Sequence, residues 1–185
     1  MESLMAKREN AVNLETERLF MRPVTARDSD ALYRLHCDPL VVELILQGKQ
    51  LSRDESDARL AIYLDEWRRY GYGFWMLYLR QPNGDLTFVG RAGLRHYDEQ
   101  DVEIGCCLFG FSSGKKIALE SLKPIIAYAF ERLPITRLVS VIRPENIRSQ
   151  KMTTTLGFSY LGMTEHRGIT FRRYEMKRCD APLAS

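Results

Sequence analysis

Apolar side chains at Ala118, Leu122, Ile125, Ile126, Ala129, Phe130 and Leu133 recur at helical spacing and predict one long helix ending near Leu133. Pro124 falls roughly opposite this stripe. Its missing N–H leaves the Glu120 carbonyl to water there, so a kink rather than a break is expected. Upstream the pattern is that of strands. FWMLYLR (74–80) and LTFVGRAGLR (86–95) flank Gln81-Pro82-Asn83-Gly84-Asp85, a hairpin with Asn-Gly at its centre. Gly71 and Gly73 open this meander, and VEIGCCLF (102–109) completes it. RLVSVI (137–142) reads as a buried strand. NIRSQKMTTTLGF (146–158) reads as a short helix capped by Asn146 and ended by Gly157, with two closing strands over about 159–176.

The first third of the chain predicts one strand over 14–22, with Leu19 and Met21 on one face, ended by Pro23. Thr25-Ala26-Arg27-Asp28 resembles a capping box opening a helix that carries Ala31, Leu32 and Leu35 and stops at Asp38-Pro39. Ser52-Arg53-Asp54-Glu55 opens a second helix to about Tyr70, with Leu60, Ile62, Leu64 and Trp67 available for packing. The order β, α, α, three β, α, β, α, β, β is α/β in the mixed (α+β) sense, not a doubly wound parallel fold. There is no internal repeat or linker, and 185 residues suit a single domain spanning 1–185.

Composition narrows the classes. A hydrophobic share of 45% with 28% charged residues is that of an ordinary soluble globular protein, and a net charge of +3 is too small to imply a nucleic-acid or membrane partner. The basic cluster His166, Arg167, Arg172, Arg173, Lys177 and Arg178 reads as a solvated strand face, with a binding surface as the alternative. MESLMAKREN has no apolar core and is not a signal peptide, and no apolar run is long enough to span a bilayer. Cys37, Cys106, Cys107 and Cys179 lack metal-ligand or disulfide-framework spacing, so no metal is expected and a reduced, cytoplasmic protein is the default. Cys106 and Cys107, adjacent on one strand, should point to opposite faces as packing residues, with a nucleophile as the lesser alternative.

FSSGKKIALESL (111–122) looks like a loop running into a helix N-terminus that holds a phosphate. Such loops favour glycine because bare backbone must approach the anion. Here Gly114 is followed by Lys115 and Lys116. If residue 116 must adopt positive φ, lysine there costs on the order of 1–3 kcal/mol. If it takes the negative φ of a first helical turn, both lysines add useful positive charge.

Three stretches together resemble the GNAT superfamily of acetyl-CoA-dependent N-acetyltransferases, and most closely its Rim-type branch of ribosomal-protein N-terminal acetyltransferases. They are ETERLFMRP (15–23), EIG (103–105) followed by GKKIALESL (114–122), and RPENIRSQKMTTTLGF (143–158). The resemblance covers roughly 14–177 with the elements in the family's order. It implies a mixed central sheet, flanked by helices and splayed between its fourth and fifth strands, here 102–109 and 137–142. It implies acetyl-CoA as acetyl donor and an amine acceptor, a protein N-terminus or a small amine.

The family's pyrophosphate loop, laid onto this chain, gives Ser113, Gly114, Lys115, Lys116, Ile117 and Ala118 as cofactor contacts. Gly114 and Ala118 fit, Lys116 stands at the central glycine, and Ser113 stands where many members have arginine or a bulky residue. Backbone N–H groups near Cys106, Cys107 and Leu108 would polarise the thioester carbonyl. Ser149 matches the position that approaches the CoA sulfur and is the candidate acid; an ordinary helix-start hydroxyl is its plainer reading. Asn146 would contact pantetheine, cap its helix, or do both. Glu103 and Glu165 are the candidate bases, with a water relay as alternative. His96 and His166 are the other titrating groups near these loops, and His36 reads as structural. The rival reading is a GNAT-fold ligand-binding or interaction module that no longer acetylates, motivated by Ser113, Lys116 and Pro124. Oligomeric state stays open.

Overall fold

The computed structural model describes residues 12–98, 101–166 and 168–181. The strand expected over 14–22 is two short ones: β1 (Leu14–Glu15) turns back to pair antiparallel with β2 (Leu19–Pro23). Thr16 closes the turn, its N–H donating to the Leu19 carbonyl at 3.0 Å and its Oγ1 accepting from the Leu19 N–H at 3.0 Å. The Thr25–Asp28 capping box is present but opens a single 3₁₀ turn, Ala26–Asp28, which leads into α1 (Ser29–His36). Asp38-Pro39 does more than stop α1. Asp38 Oδ1 accepts from the N–H groups of Leu40 and Val41, and Pro39 occupies the first turn of an additional short helix, α2 (Pro39–Leu44).

In α3 (Arg53–Tyr70) the Ser52/Glu55 capping box forms in both directions, and Gly71, at φ 72°, ends the helix in the left-handed conformation. Its buried line is Ser56, Leu60, Tyr63 and Glu66. Ile62, expected in the packing face, is 57% exposed. Two residues beyond Leu60 it has turned about 200° around the axis, onto the outer side.

β3 (Phe74–Arg80), β4 (Leu86–His96) and β5 (Val102–Leu108) form the antiparallel meander, and β6 (Arg137–Ile142), β7 (Ser159–His166) and β8 (Ile169–Lys177) complete one sheet. The strand order is β1-β2-β3-β4-β5-β6-β8-β7. Only β5 and β6 run parallel, and their pairing is confined to Val102↔Leu138 and Glu103↔Val139. Because the first expected strand is split, this is the predicted splay between the fourth and fifth strands.

α4 (Ile117–Arg132) continues through Pro124. It packs on the sheet face bearing Trp75, Leu94 and Ile104 through Ile117, Leu122, Ile125 and Ala129, while Ala118 and Leu133 are only half-buried. The opposite face, with Phe74, Met76 and Cys107, is covered by Leu32 and Leu35 of α1 and by Leu60 and Tyr63 of α3. α5 (Ile147–Thr155) follows β6, with Gly157 at φ 99° after its end.

The terminal basic cluster is engaged internally. Arg173 and Arg137 both pair with the buried Asp101, and Arg178 donates to the carbonyls of Leu133 and Ile135. Arg167 lies outside the described residues. Among the described residues no helix is long and apolar enough to cross a membrane.

Candidate active site

The gap between β5 and β6 organises the site. β4 pairs with β5 along its whole length, from His96↔Val102 to Gly90↔Leu108. On the other edge the ladder stops after Glu103↔Val139, so the β6-facing backbone of Gly105 to Leu108 has no strand partner. Cys106, Cys107 and Leu108, from which the family resemblance implies carbonyl-polarising N–H groups, lie on this stretch without a strand partner. Cys106 packs against the α4-side core and Cys107 is buried in the cluster on the opposite face, as alternation requires. Burial pushes the Cys106 thiol up to about 12 and raises that of Cys107, so both are protonated packing groups rather than nucleophiles.

At the open end of the gap the chain makes a 3₁₀ turn, Gly110–Ser112, and then turns into α4. Gly114 has φ +79° and Lys116 has φ +61° and ψ 12°. Of the two conformations open to residue 116, the left-handed one is adopted, although lysine carries the steric cost that glycine avoids. No side chain caps α4. The backbone N–H groups from Gly114 through Leu119 donate to no described group, and the first bond of the helix runs from the Glu120 N–H to the Lys116 carbonyl at 3.0 Å. Unpaired N–H groups at the positive end of a 16-residue helix, on residues exposed from Gly114 to Lys116, fit a pyrophosphate. Lys116→Gly should stabilise the protein by roughly 1 kcal/mol by releasing that strain. Thermal denaturation beside Lys116→Ala, which keeps the strain, checks this. A glycine variant no more stable than the alanine variant would remove the strain argument.

Three ties hold the loop. Glu120, in the first turn of α4, accepts from Thr16 Oγ1 at 2.5 Å and pairs with Arg18 at 2.5 Å, and Arg18 Nη2 also donates to the Lys115 carbonyl at 3.1 Å. Burial would raise the Glu120 pKa, but the hydrogen bonds from Thr16 and Arg18 outweigh it and hold the carboxylate ionised. The Thr-Glu-Arg-Leu segment thus clasps the loop before α4 from about a hundred residues away, a role its sequence did not disclose. Arg148 Nη1, in the first turn of α5, donates to Ser113 Oγ at 3.1 Å. Asp38 Oδ2 accepts the Gly110 N–H at 3.1 Å.

Asn146 caps α5 by accepting the Ser149 N–H at 3.1 Å, so its capping role is realised. Ser149 Oγ makes no hydrogen bond to a described residue, and Ser149 is half-buried one residue from the Arg148–Ser113 link. Glu103 faces α3, opposite Arg95 on β4, and pairs with it at 2.5 Å. Burial raises the Glu103 pKa, and Arg95 opposes that rise. Glu165 is exposed on the outermost strand β7, opposite Thr170 and beyond the last β6–β8 pair, Ile142↔Arg172. His166 lies at the same strand end, and His96 stacks on Tyr70 at 4.7 Å.

Two further groups, unmarked in the sequence, share the α3-facing side of the sheet. Glu66 of α3 is 8% exposed, has its Oε2 buried without a partner, and is raised to about 7 by burial against a hydrogen bond from the His96 N–H. It borders a cleft of about 410 Å³ with Tyr70 and His96. Arg91 of β4 is also 8% exposed, with its Nε buried and unpartnered.

A family model described as an acetyltransferase (GNAT) domain matches residues 18–159. The chain is 28% identical over 153 residues to the N-acetyltransferase p20 of Bacillus licheniformis, covering 81% of this chain and 84% of that one. Its fold superposes on an acetyltransferase from Agrobacterium tumefaciens with a TM-score of 0.75 at 23% identity, covering 89% and 94% of the two chains. The ribosomal L7/L12 α-N-protein acetyltransferase RimL, solved with coenzyme A, superposes with a TM-score of 0.74 at 17% identity, covering 90% and 98%. The splayed strands, the uncapped helix behind Gly114 and the matched domain agree: the chain belongs to the GNAT family of acetyl-CoA-dependent N-acetyltransferases.

Proposed function

We propose that the chain transfers the acetyl group of acetyl-CoA to a primary amine by direct attack within a ternary complex. The observation that carries this reading is the run of unpaired N–H groups from Gly114 to Leu119, set at the mouth of a gap whose β5 edge is bare. Acetyl-CoA supplies an activated thioester. The loop would hold its pyrophosphate, with Lys115 and Lys116 adding charge. The bare edge of β5 would take the pantetheine arm as an added strand. N–H groups of Cys106 to Leu108 would receive the carbonyl oxygen as it gains charge. Glu103 would take the proton that the amine releases on attack, and Ser149 would return one to the departing thiolate. Positioning supplies much of the remaining acceleration. The likeness to RimL, which acts on a protein N-terminus, favours the Rim-type branch and an α-amine acceptor.

Calorimetric titration with acetyl-CoA and, separately, CoA is the test. Micromolar binding of both is expected. Absence of binding at millimolar cofactor would mean that Lys116 closes the loop and that the fold serves as a non-catalytic binding module.

A further inference from the structure

We infer that Arg91 receives a carboxylate carried by the acceptor, so that the amine acetylated here has a carboxylate within a few bonds of it. This rests on the acetyl-transfer reading and narrows its substrate class.

Arg91 lies on β4 opposite Cys107, on the sheet face that also bears Glu103 and Gly105. Along β5 that face reads Glu103, Gly105, Cys107. A Cβ added at Gly105 would meet nothing within 4 Å, so there is open space between the carboxylate and the buried thiol. The facing position, Gly93, is different: a Cβ there would lie 2.3 Å from the Gly73 carbonyl and 2.9 Å from the Phe74 ring. Phe74 therefore closes the β4 side of the notch, while the β5 side stays open.

The Arg91 guanidinium lies over that ring, 4.2 Å from its centroid, and 4.9 Å from the Tyr63 centroid. The side chain thus leans along the sheet from the level of Cys107 toward the level of Gly105. Two aromatic faces offset part of the cost of burying a cation. They leave its N–H donors without acceptors, and among the described residues no carboxylate pairs with Arg91.

The neighbouring carboxylates do not supply the missing partner. Glu103 is taken by Arg95 at 2.5 Å. Glu66 makes no ion pair with Arg91, and its Oε2 is buried without a partner. A buried guanidinium that feels Glu103 only from a distance and pairs with no described carboxylate is well suited to a ligand carboxylate, which it can grip with two parallel N–H bonds. An acceptor lying over Gly105 with its carboxylate on Arg91 would have its amine on the Glu103 side, within the row where the β5 edge becomes bare.

Free α-amino acids and protein N-termini with an acidic first residue both present this chemistry. The test measures, with CoA present, calorimetric affinities of N-acetyl-alanine, N-acetyl-methionine and N-acetyl-glutamate against their α-amides, and of an amidated peptide beginning N-acetyl-Asp against one beginning N-acetyl-Asn. The acid of at least one matched pair should bind about tenfold or more tighter. Preference for the free α-carboxylate assigns amino acids, and preference confined to the Asp peptide assigns acidic N-termini. Arg91→Gln should abolish the difference, and Arg91→Lys should keep part of it. Wild-type protein that binds acids and amides alike, or binds none, overturns the inference without needing a variant. So does a preference that survives Arg91→Gln. Labelled acetyl transfer, followed separately, tests the underlying reading: active transfer with no carboxylate preference sinks only the role of Arg91, and a preference without transfer to any amine sinks only the catalytic reading.

Discussion

Glu103→Gln should lower kcat by about a hundredfold or more while leaving acetyl-CoA affinity unchanged. The carboxylate sits on the α3 side of β5, beside the open space at Gly105, whereas the backbone proposed to hold the pyrophosphate lies beyond the far end of the strand. Removing the base therefore acts on proton transfer and not on donor binding. The pH profile gives a sharper result. Burial raises the Glu103 pKa and Arg95 holds it down, so the ascending limb of kcat/KM reports a carboxylate shifted upward. Arg95→Met removes the opposing charge and should move that limb to higher pH. If Glu103→Gln keeps full activity while Glu66→Gln loses it, the base belongs to α3, where Glu66 titrates at about 7.

Acid should destabilise the protein through His36, and Glu66 should mask the early part of that loss. His36 is buried between α1 and α3, with Nδ1 2.8 Å from Ser56 Oγ and Nε2 without a partner; burial, then the charges of Arg91 and Arg59, lower it from 6.5 to about 3. Above pH 6.5 both folded and unfolded states hold it neutral. As pH falls from 6.5 toward 3 only the unfolded state takes up the proton, so stability drops by roughly 4 kcal/mol over the whole window. Glu66 works in the other direction. Its folded pKa of about 7 stands above the ordinary 4.5, so its contribution is complete below 4.5 and is lost as pH rises through 7. Wild-type stability should thus change little between pH 6.5 and 4.5 and fall below that. Glu66→Gln should unmask a loss of roughly 2–3 kcal/mol across the same interval. His36→Gln should instead gain stability as pH falls there. Urea unfolding at a series of pH values checks all three curves, and parallel curves would refute the opposed pair.

The fold was legible because its elements are strongly periodic and sharply punctuated. Gly71, the Asn83-Gly84 turn and the two capping boxes marked boundaries that local chemistry alone decides. α2 was missed because Asp38-Pro39 is both a stop and a start signal, and only the two N–H groups accepted by Asp38 separate them. The site was legible where it is backbone chemistry, at Gly114 and the bare edge of β5. It was hidden where two distant segments must meet. Arg91 sits in an alternating strand and looks like any outward polar residue until Phe74 and Tyr63 close over it. Glu66 is flanked by Asp65, Arg68 and Arg69, the composition of a solvated helix face, and is buried only because the helix docks where the His96 N–H can reach it. Lys116 takes positive φ in a loop that Thr16 and Arg18 meet from a distant part of the chain, a contact which no local pattern encodes.

The place of β8 in the sheet sets an order of events during synthesis. Of the described strands it is the last to be synthesised, yet it lies inside the sheet, between β6 and β7. Until residue 177 has emerged, the two pairs with β5 are the strand pairing of β6 among the described residues, and its other edge presents unpaired backbone N–H and C=O groups. The meander, α4 and the phosphate loop are all complete in sequence before that. A nascent chain should therefore pass through a stage at which the proposed donor half of the site is formed while an unpaired strand edge is exposed, the moment when chaperone capture and chain-to-chain pairing compete with closure.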